Sequence, residues 1–437
     1  MRPYREVLDA IKGRCAVAST SLRAGDRVLI TSAVCAASSP SSCGWCFAPG
    51  DVFSRCSACR KARYCSRACQ QRDWPQHRHE CAAWRSIPER NPSPTVLLVA
   101  RLAAKLFLGS QVDQEEKNGV LKLRDHLADH TELKRHQFDE MTQLVLLLLS
   151  RYKAEKREKN ATLDELHRDL ELEILKLFGR VNCNAFSVAN EFTNEAVGIG
   201  LYPEGALFNH DCDPNCVVSF KGREMQVRVV RDIEVDEELT VSYVELLQST
   251  KARRRELKES YFFDCECKRC KAATNGQSNE DWYLDGLRCS NKKCASSGGV
   301  EITAFERELE SLATLKAESN ASRWEKYRRE WEILTNRLQL HPRNSRVATM
   351  AREIGNFLLV AISPELRSQA LRFLLAELQA VEWLLPKTKL PSRGLLHFQM
   401  GKVVFEEVNA PLNAMPQVKK VDTIQQAAKH LQEALTV

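Results

Sequence analysis

The stretch NHDCDPNC, Asn209 to Cys216, gathers amides, an imidazole, two thiols, two carboxylates and a proline within eight residues. Asn, Asp and Pro favour turns through their own backbone chemistry, so composition alone predicts a tight turn. Thiols and imidazoles are also metal ligands, and the same groups occur in catalytic sites. Three interpretations are therefore open at this point: a metal site, a catalytic site or a plain turn.

The overall composition predicts a soluble protein of several domains. A chain of 437 residues with 43% hydrophobic and 28% charged residues is too long for one compact core and suggests two to four domains. The opening MRPYREVLDAIKGR lacks the apolar stretch of a secretory signal, and the run LVLLLL at 144–149 is too short to span a bilayer. We therefore expect no membrane association and a location in the cytoplasm and nucleus. The net charge of +7 permits acidic partners or nucleic acid and requires neither.

The 17 cysteines are the most informative part of the composition. In a reducing compartment, metal ligation is a better interpretation than disulfide bonding. From residue 43 the spacing is C-x2-C, C-x2-C, C-x3-C and H-x3-C, and zinc takes four such ligands in a structural site. The segment therefore predicts two zinc ions, held by Cys43, Cys46, Cys56, Cys59, Cys65, Cys69, His77 and Cys81.

A second cysteine group follows in YFFDCECKRC, residues 261–270. Cys265, Cys267 and Cys270 leave a tetrahedral zinc one ligand short. The stretch NHDCDPNC offers that ligand from His210, Cys212 or Cys216, so a thiol there can fix the turn to the later cysteine loop.

Hydrophobic periodicity divides the rest of the chain into a mixed front part and a helical back part. Two short strands are predicted around the turn at 24–26, helices over 94–180, and a compact β region from Val197 through ELTVSYV (238–244). From residue 300 onward the pattern is helical throughout, with helix pairs at a spacing that suggests a short TPR-like array.

The order of these motifs resembles the SET and MYND domain family of protein lysine methyltransferases. The motifs are KGRCA (12–16), the cysteine cluster, a helical insert, NCNAFSV (182–188), GLYPEGALFNHDCDPNC (200–216), ELTVSY and YFFDCECKRC, and they cover residues 5–275. The resemblance implies an α+β multidomain fold, in which a β-rich SET domain is split by a MYND finger and a helical insert. The expected domains are an N-terminal part of SET (1–42), the MYND double-zinc finger (43–81), the helical linker and SET insert (82–180), core SET (181–247), a post-SET zinc segment (248–275) and an all-α TPR-like domain (276–437).

The family pattern implies how the zinc ligands are shared. The MYND pairs interleave, with Cys43, Cys46, Cys65 and Cys69 on one ion and Cys56, Cys59, His77 and Cys81 on the other. Cys212 resembles the fourth ligand of the post-SET zinc, which makes three zinc ions in all. His79 is outside the pattern and is expected at the surface, and Cys216 is expected to be a buried thiol.

The resemblance also implies S-adenosylmethionine as the methyl donor. Tyr243 resembles the catalytic tyrosine, and Phe186 and Phe263 resemble walls of the lysine channel. The residues that match cofactor contacts are Arg14, His126, Cys183, Asn184, Ala206, Asn209, His210, Tyr261 and Phe263. Tyr202 is assigned to either the core or the channel, and Cys289 and Cys294 to either a loop or a metal pair.

Two positions depart from the usual family pattern. Cys15 stands where a second glycine is usual, and its side chain can crowd the approach of the backbone to the cofactor. Asp211 replaces a serine beside the Asn-His pair, where its charge can favour a sulfonium or face solvent.

Three functions are compatible with these features. The main expectation is a monomeric lysine methyltransferase acting on histone tails or other proteins, with the C-terminal helices in substrate or partner binding. Its MYND finger is either purely architectural or binds proline-rich peptides, as members of the family do. The alternatives are a scaffold that keeps the fold without catalysis, and a regulator whose finger touches nucleic acid through its basic face (Arg55, Arg60, Lys61, Arg63, Arg67 and Arg72).

Overall fold

The computed structural model describes most of the chain. The described residues are 2–50, 52–86, 91–109, 113–155, 163–191, 193–286, 319–361, 363–386, 388–409 and 417–436. Cys289 and Cys294, and the first of the C-terminal helical patterns, lie outside these ranges, so the prediction for the two cysteines remains open.

The chain forms two compact units that alternate along the sequence. The first comprises residues 1–210, 214–241 and 258–263, and the second comprises residues 211–213, 242–257 and 264–437. The division runs through NHDCDPNC, because Asn209 and His210 belong to the first unit and Cys212 to the second.

The β part of the first unit consists of short strands. In chain order they are β1 (Tyr4–Asp9), β2 (Gly13–Ala18), β3 (Arg27–Ser32), β4 (Cys35–Ser38), β5 (Ser54–Arg55), β6 (Arg63–Tyr64), β7 (Ala185–Ala189), β8 (Ala196–Leu201), β9 (Asn209–His210), β10 (Cys216–Lys221), β11 (Glu224–Val229) and β12 (Thr240–Val241). The antiparallel sheets are β1-β2, β10-β11-β3, β4-β8-β7 and β5-β6. Gly25 and Gly222 have positive φ angles in the turns before β3 and before β11, a backbone conformation that glycine adopts without strain.

One parallel pair joins two distant parts of the sequence. In it Thr240 lies opposite Asn209 and Val241 opposite His210, across β12 and β9. The pairing places the Asn-His motif beside the strand that leads directly into Tyr243.

Helices surround the finger and supply the main core of the first unit. They are α1 (Arg67–Ser86), α2 (Pro94–Ala103, continued by a π turn over Ala104–Leu108), α3 (Gln114–Leu121), α4 (Glu132–Glu155) and α5 (Leu163–Asn184). Every α2 residue from Val96 to Ala103 is buried, in a core that also contains Cys43, Cys56 and Cys81 of the finger. Ser93 caps α2, since its hydroxyl accepts a hydrogen bond from the Val96 amide at 3.3 Å.

Within its described residues, the regular elements of the second unit are helices. Its elements are α7 (Lys268–Thr274), α8 (Glu280–Asp285), α9 (Asn320–Glu332, continued by a π turn over Ile333–Arg337), α10 (Ser345–Leu359), α11 (Pro364–Ser368), α12 (Ala370–Leu384), α13 (Pro391–Asn409) and α14 (Gln417–Thr436). Helix α6 (Thr250–Tyr261) starts in this unit and ends in the first. Helices α10 and α12 pack around a core that includes Ile354, Leu358, Phe373 and Leu374. Within the described ranges, no helix is long and apolar enough to cross a membrane.

The structure corrects several sequence predictions. Strand β1 and helix α6 were not anticipated, and the strand predicted over ELTVSYV is only Thr240–Val241. The interpretation of NHDCDPNC as a turn is incomplete, because Asn209 and His210 form strand β9 before the turn begins. Tyr202 belongs to the core: it is fully buried, and its hydroxyl donates to the Arg223 carbonyl at 2.8 Å.

Candidate metal centres and active site

Three clusters bring four ligand atoms each within 4.8 Å of one another. They are Cys43, Cys46, Cys65 and Cys69; Cys56, Cys59, His77 and Cys81; and Cys212, Cys265, Cys267 and Cys270. These are the three ligand sets that the family pattern implied, including the interleaving and the choice of Cys212. Cys216 is buried and is not in any of the clusters, and His79 is half-buried and likewise not a ligand.

The distances between ligand atoms fit tetrahedral zinc. Zinc–sulfur bonds of about 2.3 Å give a tetrahedron whose sulfur atoms are about 3.8 Å apart. The sulfur–sulfur distances are 3.6 Å for Cys46–Cys65, 3.5 Å for Cys65–Cys69, 3.8 Å for Cys56–Cys81 and 3.6 Å for Cys212–Cys270. These separations are far too long for disulfides and are those of thiolates around one ion. The clusters are zinc sites.

The second finger site has a buried supporting network. The His77 Nε2 atom lies 3.5 Å from Cys59 Sγ, so Nδ1 is left to donate to Glu80 Oε1 at 3.1 Å. The Glu80 carboxylate also accepts from the Arg101 Nη2 atom at 2.7 Å, and both residues are buried. Burial raises the pKa of Glu80, but the charge of Arg101 and the hydrogen bond from His77 lower it by more, so the carboxyl stays ionised.

Arg101 extends this network to the sheet. Its guanidinium donates to the Asp73 carboxylate at 3.3 Å and to the Ala36 carbonyl of strand β4 at 2.8 Å. Asp73 in turn accepts from the Tyr64 hydroxyl at 2.8 Å. The zinc-binding finger is thus attached to helix α2 and to strand β4 by buried charged hydrogen bonds.

The third site has its own buried cation. Arg253 of helix α6 is fully buried, and its Nε atom donates to Cys212 Sγ at 3.3 Å. The Nη2 atom donates to the Thr250 hydroxyl at 3.0 Å and lies 4.0 Å from Cys270 Sγ. Four thiolates on one Zn²⁺ carry a net charge of −2, which a guanidinium partly neutralises.

The Asn-His motif contacts the first strand turn. The two hydrogens of Asn209 Nδ2 are shared among three acceptors, the Arg14 carbonyl at 3.2 Å, Cys15 Sγ at 3.2 Å and the Glu238 carboxylate at 3.0 Å. Burial and the adjacent Glu238 raise the pKa of the Cys15 thiol to about 11, so it is uncharged at neutral pH. The departure from glycine at this position therefore places a neutral sulfur against the Asn209 amide.

Further contacts join the other candidate cofactor residues. The Asn184 Nδ2 atom donates to the Arg124 carbonyl at 3.1 Å, and Cys183 Sγ lies 3.7 Å from the Ser260 carbonyl. The His126 ring stacks on Phe262 with centroids 4.9 Å apart, and the His210 ring lies 6.1 Å from that of Phe263. We call residues 13–15, 124–126, 183–184, 209–210 and 260–263 the five-segment site; all of them belong to the first unit.

The remaining candidates are Phe186 and Ala206 in the first unit and Tyr243 in the second. The Phe186 ring is 6.0 Å from that of Tyr202, edge to face, and Ala206 packs half-buried against the core. Tyr243 is half-buried and belongs to the second unit, in an irregular stretch after strand β12.

Sequence reasoning missed several residues that support these sites. Arg101 and Arg253 are buried cations, and nothing in the sequence distinguishes them from arginines at the surface. Phe262, the middle residue of YFF, stacks on the His126 ring. Glu238, in ELTVSY, has a carboxylate that accepts a hydrogen bond from the Asn209 amide. No signal in the sequence distinguishes Arg253 from its neighbours Arg254 and Arg255.

Asp211 also has a structural role. Its carboxylate accepts a hydrogen bond from the Asp213 amide at 2.8 Å, which is the local contact that forms an Asx turn.

Comparison with known proteins agrees with these observations. The sequence profile of the MYND finger matches residues 43–81. Human histone-lysine N-methyltransferase SMYD3 is 36% identical over 265 residues, which are 60% of this chain and 60% of the human protein. The mouse protein of the same name is 35% identical over 54% of this chain and 53% of its own length. Chicken N-lysine methyltransferase SMYD2 is 37% identical over 53% of this chain and 50% of its own length. The chain thus spans between half and three-fifths of the length of these curated relatives.

Proposed function

Because the SET and MYND parts of this chain belong to the family of SET and MYND domain proteins, we propose that it transfers methyl groups from S-adenosylmethionine to lysine side chains of proteins. The relatives that support the proposal are named as histone-lysine or N-lysine methyltransferases.

The observation that carries the proposal is the five-segment site. Its segments are far apart in the sequence, and each of them contains a residue that matches a cofactor contact of the family. Direct contacts connect them: Asn209 to Arg14, Asn184 to Arg124, and His126 to Phe262. A plain turn at NHDCDPNC would not require these distant residues to meet.

The side chains of the site suit S-adenosylmethionine. The Arg14 guanidinium is 27% exposed and can pair with the carboxylate of the donor. The amides of Asn184 and Asn209 offer hydrogen bonds, and Phe262 and Phe263 offer aromatic faces for an adenine ring. When bound, S-adenosylmethionine supplies an electrophilic methyl group on a sulfonium sulfur.

The chain's own task is to present a neutral, aligned lysine amine. A free lysine has a pKa of about 10.4, so on the order of one amine in a thousand is neutral at pH 7. Aromatic walls such as Phe186 and Phe263 exclude water and so lower the pKa of an amine held between them. A tyrosine hydroxyl such as that of Tyr243, which resembles the catalytic tyrosine of the family, can orient an amine, so alignment and electrostatics provide the rate enhancement without a covalent intermediate.

We favour the enzyme over a non-catalytic scaffold. Cys15 and Asp211 depart from the family pattern and are the reason for considering a non-catalytic scaffold. Both have structural explanations that leave the proposed chemistry intact. Cys15 is a neutral thiol hydrogen-bonded to Asn209, and Asp211 accepts from the Asp213 amide.

The finer assignments are also proposals. The substrate is a histone tail or another lysine-containing protein, and the finger binds a proline-rich peptide partner. The basic residues Arg55, Arg60, Arg63, Arg67 and Arg72 of the finger are exposed, which keeps nucleic acid as a second candidate ligand of that surface. We place the protein in the cytoplasm and nucleus and expect a monomer.

Calorimetric titration of S-adenosylmethionine into zinc-replete protein tests the proposed function. We expect one site per chain and a loss of at least about tenfold in affinity for Asn209→Ala, or about 1.4 kcal/mol, because this variant removes the contacts of segment 209–210 with segment 13–15. The matched control is Asn118→Ala, at an exposed position of helix α3, which keeps wild-type affinity. Zinc-replete protein that binds no S-adenosylmethionine would refute the proposal.

A further inference from the structure

The stretch that carries Tyr243 has no regular backbone structure of its own. Residues 242–249, between strand β12 and helix α6, form neither helix nor strand. Their geometry therefore depends on side-chain contacts and not on a sheet ladder. A tyrosine that must orient a substrate amine needs such a stretch to be held firmly.

Glu245 makes the central contact in this stretch. One carboxylate oxygen accepts from the Leu247 amide at 3.1 Å, which fixes the local turn. The other accepts from the Arg352 Nη1 atom of helix α10 at 2.6 Å. Although burial raises the pKa of Glu245, the charge and hydrogen bond of Arg352 lower it by more, so the carboxyl stays ionised.

Arg352 is itself fixed from the opposite side. Its Nε atom donates to the Glu377 carboxylate of helix α12 at 2.6 Å. The Glu377 side chain is 8% exposed, compared with 32% for Arg352 and 35% for Glu245. One arginine thus bridges a buried acid of the helical unit and the acid two residues beyond Tyr243.

Other contacts hold the same stretch at its far end. The Arg269 Nη2 atom donates to the Leu246 carbonyl at 3.0 Å, and the Ser249 hydroxyl donates to Asp285 at 3.2 Å. The Thr250 amide donates to the Asp281 carboxylate at 2.7 Å. These bonds fix residues 246–250 to the zinc loop and helix α8, whereas Arg352 of helix α10 contacts Glu245, two residues after Tyr243.

We propose that Arg352, acting through Glu245, is a positioning residue for Tyr243, so that helices α10 and α12 hold the catalytic stretch in place. The expected effect on catalysis rests on the proposed methyl transfer, whereas the contact of Arg352 with Glu245 can be tested without measuring activity. Arg352 contacts neither substrate nor cofactor in this account and acts only through Glu245.

The decisive experiment compares Arg352→Met with wild type by two readouts. The first is amide hydrogen exchange of the peptide containing residues 242–250, which we expect to accelerate by about tenfold or more once the bridge is lost. The second is steady-state kinetics, in which we expect kcat to fall by about tenfold to about a hundredfold while S-adenosylmethionine affinity stays within about twofold. In both readouts Arg352→Lys should give values between those of wild type and Arg352→Met. A lysine keeps the positive charge, but its ammonium cannot reproduce the two-sided bonding of a guanidinium.

The matched control is Arg372→Met. Arg372 lies over the Phe373 ring on helix α12, so its loss removes a cation of the same unit without touching Glu245. It should leave both the exchange of residues 242–250 and kcat at wild-type values. Unchanged exchange in Arg352→Met would overturn the proposal, and so would unchanged kcat in a protein that transfers methyl groups. If wild-type protein transfers none, the proposed function fails, while the exchange data still decide whether Arg352 holds the stretch.

Discussion

At the scale of single residues, Cys212 and Cys216 show that two neighbouring buried cysteines can have different roles, one as a zinc ligand and the other as a core thiol. Both are buried and lie four positions apart, yet Cys212 belongs to a zinc cluster and Cys216 opens strand β10. Burial raises the pKa of the Cys216 thiol to about 12, as expected for a neutral core cysteine. The difference comes from the fold, which brings Cys265, Cys267 and Cys270 to Cys212.

Substituting Cys212 should therefore remove one metal ion. For Cys212→Ser we expect the zinc content to fall from about three ions per chain to about two, because a serine hydroxyl is a poor zinc ligand. Elemental analysis of the purified protein measures this. Cys216→Ser is the control and should retain all three ions, and equal zinc loss in both variants would contradict the assignment of the ligand.

Arg253 should strengthen zinc binding at the same cluster. Arg253→Met leaves the negative charge of the four thiolates without its buried cation, and we expect transfer of zinc to a chelator to be about tenfold to about a hundredfold faster. A stopped-flow assay with a coloured chelator measures the rate. Arg254→Met is the control, because Arg254 is 37% exposed and pairs with Asp264 at 3.9 Å. Identical release rates for the two variants would argue against a role for the Arg253 charge.

The ligands themselves could be predicted from the sequence, and the supporting residues could not. Cysteine and histidine spacing is a local property, and all twelve ligands follow from it together with the family resemblance. The burial of Arg101 and Arg253 depends on which distant groups surround each guanidinium. No local pattern distinguishes Arg253 from Arg254 or Arg255 on the same helix.

At the scale of elements, helix α1 connects the finger to helix α2 and strand β4. Its residues Asp73, His77 and Glu80 are buried and share the Arg101 guanidinium or the second zinc. The finger is therefore fixed to helix α2 and strand β4 by charged groups as well as by apolar packing.

Removing Arg101, the central cation of this network, should lower the stability of the protein. Arg101→Met leaves two buried carboxylates without their partner, and breaking a buried pair in this way costs about 3–5 kcal/mol in the free energy of unfolding. Urea denaturation followed by circular dichroism measures the loss. Arg72→Met, at an exposed position of helix α1, should change stability by less than about 0.5 kcal/mol. A loss of similar size in both variants would mean that the network contributes nothing specific.

Element prediction succeeded where one face is apolar and failed where it is not. Strand β11 alternates between buried and half-buried residues and was predicted, whereas five of the six residues of strand β1 are exposed, so it lacks the alternation that marks a strand. Helix α6 was missed because its buried face consists of Thr250, Arg253 and Leu257. Only one of these three residues is apolar, so no helical stripe appears in the sequence.

At the scale of the whole molecule, the two compact units exchange short segments. Residues 211–213 belong to the second unit although the first surrounds them in sequence, and residues 258–263 return to the first. The domain boundaries expected from the sequence are continuous ranges and contain no such exchange. A linear pattern could not predict it, because the exchange is set by the third zinc site and by the pairing of Phe262 and Phe263 with His126 and His210.

The central claim is that this chain uses Tyr243 to transfer methyl groups to protein lysines, and a radiolabel transfer assay tests it most directly. Zinc-replete protein, labelled S-adenosylmethionine and an array of histones and other proteins should give labelled lysine. Tyr243→Phe should lower the transfer rate by at least about a hundredfold while keeping cofactor affinity within about twofold. Tyr202→Phe, which removes the hydroxyl of a core tyrosine, should transfer at a rate close to wild type. Transfer by Tyr243→Phe at the wild-type rate, or no labelled lysine on any protein with wild type, would contradict the account.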